Sequence, residues 1–273
     1  MTLLLIILIG FTTHQGLTRP GVKYKYMFSS EGIRLRRQWV RLISPAFLHA
    51  NWGHFGGNAF SLYLFGRQVE AAQGPDFFIG LFFMGVVGGS LLCLLLHRDS
   101  EYQALGASGG ALGVVFACIL LNPGMRIGLL FLPIYFPGWV FAIGYVLYTL
   151  YGVHGQVGGI SHEGHWGGLL SGVLVAWGSH PGRVGAQTPL LAAILILSAA
   201  GIWYFHVNPG RVPGYLRFQA RQKVNTVRKK RSMEKDVLLD KLLDKVAKEG
   251  LHSLTPRERR VLEDASKERK NRS

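Results

Sequence analysis

Long apolar stretches recur along this chain with almost no charge inside them, and no other feature constrains the fold as much. Seven can be drawn, at residues 2–13, 54–72, 77–97, 106–122, 127–151, 163–179 and 189–206. Most approach the roughly 17–25 residues a helix needs to cross about 30 Å of hydrocarbon. The first is short and can extend through Gly16 and Leu17. Charged residues make up only 16% of the chain, against roughly 25% in soluble domains. The expected fold class is therefore all-α, a polytopic membrane helix bundle.

The charge that is present is unevenly placed. Residues 211–273 hold 19 of the 30 Lys/Arg and 9 of the 15 Asp/Glu, so a membrane body is followed by a basic, polar tail. Within that tail "RFQARQKVNTVRKKRS" reads as a basic linker. Beside a membrane span it suits anionic lipid headgroups better than nucleic acid. "MEKDVLLDKLLDKVAKEG" has apolar residues at 238, 242, 243 and 246, a helical period that ends at Gly250. Thr255, Pro256 and Glu258 then form a capping box with proline at the first helical position. Cys93 and Cys118 both fall inside apolar stretches, where they read as packing residues. "MTLLLIILIG" has no basic leader and no clear small-residue cleavage site, so it reads as the start of a first span.

Two further features bear on helix contacts and on function. In "GHWGGLLSGVL", Gly164, Gly168 and Gly172 recur every four residues, the small-xxx-small spacing that lets membrane helices approach closely. Residues 14–53 form a long aromatic and basic connection, with Tyr24, Tyr26, Trp39 and Trp52 suited to a membrane–water interface.

Polar groups at membrane depth are costly and by default mark function. His54 and Asn58 are four apart, so on a helix they share a face. An imidazole and an amide converging there can donate hydrogen bonds to a developing oxyanion. His49 precedes them in the loop. Ser108 lies in "GASGG" and opens an apolar run, so a helix starting there presents its first N–H groups to whatever lies beside it. His165 sits one turn before Gly168 on the glycine-striped segment, and Ser108 Oγ near it would make a nucleophile–base pair. Glu163 lies two residues from His165 and faces away from it, and no third group is evident, which favours a dyad. A metal site competes: His162 and His165, with His49 and His54, amount to four nitrogen ligands. "HEGH" is, however, H-E-x-H and not the H-E-x-x-H of zinc proteases. Plain packing is the competing reading of the serine and the glycines.

Together these pieces resemble the rhomboid family of intramembrane serine proteases, over roughly residues 1–180. "QWVRLISPAFLHANWGHFGGN" is similar to the family's W-R element followed by H-x(4)-H-x(3)-N. "LFGRQVE" is similar to F-G-x-x-x-E, "GASG" to G-x-S-G, and "HEGHWGGLLSG" to H-x-x-G-x-x-x-G. The resemblance implies a six-span core, with 189–206 as a seventh apolar segment, and a division into 1–180 (protease core), 181–210 (extra segment and connector) and 211–273 (tail with two short amphipathic helices). It implies that Ser108 is the nucleophile and His165 the general base. His54, Asn58 and the Ser108 N–H would form the oxyanion hole. His49, Arg41, Glu70, Gly106, Gly168 and Gly172 would be structural parts near the site. No metal or cofactor is implied. Substrates would be single-span or membrane-anchored proteins, and the location a bacterial inner membrane. A rhomboid-like protein that binds or escorts membrane clients without cutting them is the rival function. The family often carries an aromatic residue four after the serine, stacked on the base; here that position is Leu112. The family places the first loop outside the cytoplasm, which with seven spans puts the basic tail there too, whereas the excess of Lys and Arg favours a cytoplasmic tail. A hairpin at 189–206, or a segment there that does not span, would reconcile the two.

Overall fold

The computed structural model describes residues 1–128, 135–155 and 160–208, and in the tail residues 238–239, 242–246, 249–250, 253–256, 258–259 and 261–262. It divides into two units, Met1–Leu216 and Arg217–Ser273. In the first, α1 (Thr2–Thr18) leads into a loop built of α2 (Pro20–Tyr26), β1 (Phe28–Ser29), α3 (Ser30–Arg34) and two 3-10 turns, Trp39–Leu42 and Ser44–Phe47. One helix then runs as α4 (Trp52–Ser61), a π turn (Leu62–Gly66) and α5 (Arg67–Gln73). Asn51 caps it, its side chain accepting from the His54 N–H at 2.8 Å. Gly74, at φ +89°, reverses the chain into Pro75 and α6 (Pro75–Leu96). β2 (Gln103–Ala104) and α7 (Ser108–Leu121) follow.

Beyond α7 the paired strands β3 (Arg126–Gly128) and β4 (Tyr135–Pro137) precede α8 (Gly138–Gly155). The fifth apolar stretch, drawn at 127–151, is therefore part ladder and part helix. Its β-branched and aromatic start pairs as a strand, and Pro137 marks where helix takes over. α9 (His162–Ser179), α10 (Pro181–Gly185) and α11 (Thr188–Val207) complete the unit. α11 is one uninterrupted helix, which removes the hairpin alternative for 189–206. α6 and α11 are the two described helices both long and apolar enough to cross a membrane by length and composition.

The bundle is organised around α7, whose residues Gly110 to Leu121 are all buried. At about 1.5 Å per residue, its 14 residues rise only about 21 Å, short of a bilayer core. α6 and α9 approach it so closely that only glycine fits. A Cβ on Gly168 would lie 2.6 Å from Gly109 Cα, one on Gly172 would lie 2.6 Å from Gly113 Cα, and one on Gly85 of α6 would lie 2.8 Å from the Gly109 carbonyl oxygen. α9 turns a second glycine toward α6, where a Cβ on Gly167 would meet the Gly88 carbonyl. The four-residue glycine stripe thus packs against the "GASGG" helix by backbone on backbone. α11 leans on α8 and α9: a Cβ on Gly201 would lie 2.5 Å from Leu150 Cδ2 and 2.8 Å from the Trp166 ring. Gln187, just before α11, donates to the carbonyls of Ile119 and Leu120 at 3.0 and 2.8 Å, satisfying acceptors that the end of α7 leaves open.

In the second unit Gly250 has φ +83°, and its N–H bonds the Val246 carbonyl at 2.9 Å, closing a helical turn. The Thr255 N–H donates to Glu258 Oε2 at 2.8 Å and the Glu258 N–H to Thr255 Oγ1 at 3.3 Å, a reciprocal capping box. Lys245 Nζ lies 3.0 Å from the same carboxylate.

Because the obstruction at Gly172 is backbone and cannot rotate away, Gly172→Val destabilises the bundle by at least about 2 kcal/mol. Gly178→Ala, with open space at its Cβ position, leaves stability within about 0.5 kcal/mol. Thermal unfolding of the detergent-solubilised protein reads the difference.

Candidate active site

The segment leading into Ser108 is tied to the first loop by strand pairing and hydrogen bonds. β1 pairs antiparallel with β2, Phe28 opposite Ala104 and Ser29 opposite Gln103. Ser30 Oγ donates to the Ser100 carbonyl at 2.7 Å and accepts from the Tyr102 N–H at 2.9 Å. The Gly106 N–H reaches the Pro45 carbonyl at 2.9 Å. The Ala107 N–H donates to His49 Nε2 at 3.2 Å, and His49 Nδ1 lies 2.9 Å from Thr13 Oγ1 on α1. Accepting at Nε2 requires a neutral His49 with its hydrogen on Nδ1, donated to Thr13. Burial first, and His54 second, hold His49 down at about 3. Gly106 takes φ +128°, and a Cβ there would lie 2.8 Å from the His54 ring, so both backbone and space require glycine.

Ser108 is therefore delivered at the start of α7 while the glycine contact brings the first turn of α9 beside it. His165 Nε2 lies 2.8 Å from Ser108 Oγ. His165 Nδ1 lies 2.9 Å from the Tyr145 hydroxyl on α8. Ser108, His165, Tyr145, His54 and Asn58 line one cavity of about 390 Å³, whose other walls are mostly apolar and include Phe65, Leu112 and Phe141. His54 and Asn58 thus share a face, as their spacing predicted. Asn58 Nδ2 also donates to the His54 carbonyl at 2.9 Å.

Arg41, Glu70 and His162 do not line this cavity. Arg41 donates to the carbonyls of Tyr24 and Met27 and to Gln38 Oε1, pinning the first loop to itself. Glu70 accepts from the Thr2 N–H at 2.8 Å and Thr2 Oγ1 at 2.6 Å, and pairs with the Met1 amino group, anchoring α1 to α5. His162 is buried against α8, where a Cβ on Gly152 would strike its ring. Glu163 does turn away from His165. Its carboxylate meets His97 Nε2 at 3.0 Å and the Tyr102 hydroxyl at 2.9 Å, a buried network joining α6, the segment before α7, and α9. Among the described residues no group of three or more His, Cys, Asp or Glu side chains is gathered as metal ligands.

Sequence reasoning missed two things here. Tyr145 lies in an aromatic and apolar run where no spacing distinguishes it, and only the placement of α8 brings it to His165. The His97–Tyr102–Glu163 network joins residues from three segments, so no local pattern announces it.

A family model described as "Rhomboid domain" matches residues 36–182, more than half of the chain. The chain belongs to the rhomboid family, whose members are integral membrane proteins and include intramembrane serine proteases. A second model, a family of unknown function, matches residues 221–268. The chain is 29% identical over 142 residues to "Rhomboid protein 1, mitochondrial" of Saccharomyces cerevisiae, covering 50% of this chain and 41% of that protein. It is 28% identical over 176 residues to "Rhomboid protease GluP" of Bacillus subtilis, covering 63% and 32%. With "Rhomboid-like protein 11, chloroplastic" of Arabidopsis thaliana it shares 33% over 85 residues, covering 31% and 30%. The chain spans less than half the length of these relatives.

His49 gives a pH prediction. Its folded-state value lies below the ordinary 6.5, so the stability it contributes is present above pH 6.5 and is lost as the pH falls toward 3. In thermal unfolding between pH 7 and 4, His49→Leu starts less stable than wild type at neutral pH and loses less on acidification.

Proposed function

We propose that this chain is an intramembrane serine endopeptidase that cleaves membrane-anchored proteins with a Ser108–His165 dyad. The observation that carries the reading is the 2.8 Å contact between His165 Nε2 and Ser108 Oγ, inside a cavity that His54 and Asn58 also line. In this reading Ser108 Oγ attacks the scissile carbonyl carbon while its proton passes to His165 Nε2. The oxyanion is held by the Ser108 N–H, which begins α7 and has no helical carbonyl above it, and by His54 and Asn58. His165 then gives its proton to the leaving amine. Water attacks the acyl ester with His165 again as base, releasing the new carboxylate and regenerating Ser108.

The bundle supports a six-span reading, with α1, α4 through α5, α6, α7, α8 and α9 as the core and α11 as a seventh span. The corresponding division is 1–180, 181–210 and 211–273. The shortness of α7 is consistent with this, since a helix of about 21 Å sets Ser108 below the membrane surface, at the depth of a single-span substrate. Catalysis needs no metal or cofactor in this scheme. The basic tail contacts anionic headgroups rather than nucleic acid. A bacterial inner membrane is the proposed location, supported by likeness to the Bacillus subtilis protein, although other relatives carry mitochondrial and chloroplastic names.

The test is cleavage by the reconstituted protein of a panel of reporters, each carrying one transmembrane segment. Wild type cleaves, Ser108→Ala and His165→Ala each lose at least about 10³-fold, and His54→Ala or Asn58→Ala loses about 10²–10³-fold in kcat. A chelator has no effect. Cleavage that survives in Ser108→Ala sinks the reading, and failure of wild type across the panel favours a client-binding role.

A further inference from the structure

The two ring nitrogens of His165 are engaged by two different helices. Nε2 faces Ser108 on α7, and Nδ1 lies 2.9 Å from the Tyr145 hydroxyl on α8. If Nε2 is to take the serine proton it must hold a lone pair, so the neutral ring carries its hydrogen on Nδ1 and donates it to the phenol oxygen. The phenol is itself fixed in place. Its ring lies over Phe141 at 5.5 Å and 27°, and edge-on to Phe116 at 6.2 Å. The acidic side chain nearest His165 in sequence, Glu163, is occupied with His97 and Tyr102. Leu112, four residues after Ser108, lines the same cavity.

We propose that Tyr145 is the positioning residue for the His165 imidazole, its hydroxyl selecting the Nδ1–H tautomer and fixing the ring plane from α8. The inference rests on the Ser108–His165 reading and names the third member of that unit. A phenol oxygen is a neutral acceptor. It stabilises the imidazolium formed during attack by a dipole and not by a full charge, which distinguishes the unit from a carboxylate triad. The other groups around the His165 ring are His54 from α4, Ser108 from α7, Tyr148 behind Tyr145 on α8, and His162 and Glu163 on α9 itself. Of these side chains, Tyr145 is the one that holds Nδ1.

The test is the pH–rate profile of Ser108 modification by a fluorophosphonate probe, on the detergent-solubilised full chain. Wild type, Ser108→Ala and Tyr145→Phe are compared. Phenylalanine keeps the ring contacts and removes only the oxygen. The plateau rate of Tyr145→Phe falls about tenfold, the rate equivalent of one neutral hydrogen bond. The acid limb of its profile moves to lower pH, because the imidazolium has lost an acceptor. A wild-type profile in Tyr145→Phe overturns the proposal, and so does a slower plateau with an unmoved acid limb, which is what simple loosening would give. The two layers separate cleanly. Labelling that persists in Ser108→Ala brings down the serine–histidine reading itself. Labelling lost in Ser108→Ala but of wild-type profile in Tyr145→Phe removes only the role of Tyr145.

Discussion

Backbone touching backbone between α7 and α9 is the contact on which the rest of this molecule depends. Gly168 on Gly109 and Gly172 on Gly113 bring the two helices closer than any side chain would permit. In lipid the hydrophobic effect gives helices little reason to pair, so close van der Waals contact of this kind supplies the association. The same contact sets the site. Ser108 begins α7 one residue before Gly109, and His165 lies one turn before Gly168, so joining the glycines joins the serine and the histidine. A packing device and a chemical pair are written into the same few residues.

The second constraint comes from outside the helices. The segment just before α7 has almost no regular structure of its own, and its polar groups are satisfied by the first loop through Ser30, Pro45 and His49. Buried backbone groups without partners are costly, so this loop determines where Ser108 stands. His49 illustrates the division of labour. It lies beside His54 with ring centroids 4.9 Å apart, yet it bonds backbone and Thr13 while His54 faces the cavity. A short central helix, close-packed neighbours and a polar loop that holds the turn together place a serine hydroxyl in an apolar bundle next to the His165 imidazole.

Much of this was legible from residue order. The apolar stretches anticipate the long helices to within a few residues except at 127–151, where a strand pair precedes α8. The four-residue glycine spacing anticipates the α7–α9 contact, and the i, i+4 spacing of His54 and Asn58 anticipates their shared face. Glu163 points away from His165 for the reason its two-residue offset gives. Thr255 and Glu258 form the reciprocal cap their spacing implied. What stayed hidden is what depends on tertiary placement alone. Tyr145 is one aromatic among many on α8, and its hydroxyl acquires meaning only when that helix lies beside α9. Likewise His97, Tyr102 and Glu163 meet because three segments converge, and the order within the loop at 14–53 comes from pairing with residues 100–107 far along the chain.

In the proposed function, Ser108 is reactive because the helix contact sets His165 beside it. Peptide mass spectrometry of the protein after exposure to a fluorophosphonate tests this without a known substrate. The expected result is an adduct on Ser108 in wild type and its disappearance in His165→Ala. Absence of any Ser108 adduct in the folded wild-type protein, or equal modification of Ser108 in His165→Ala, would contradict it.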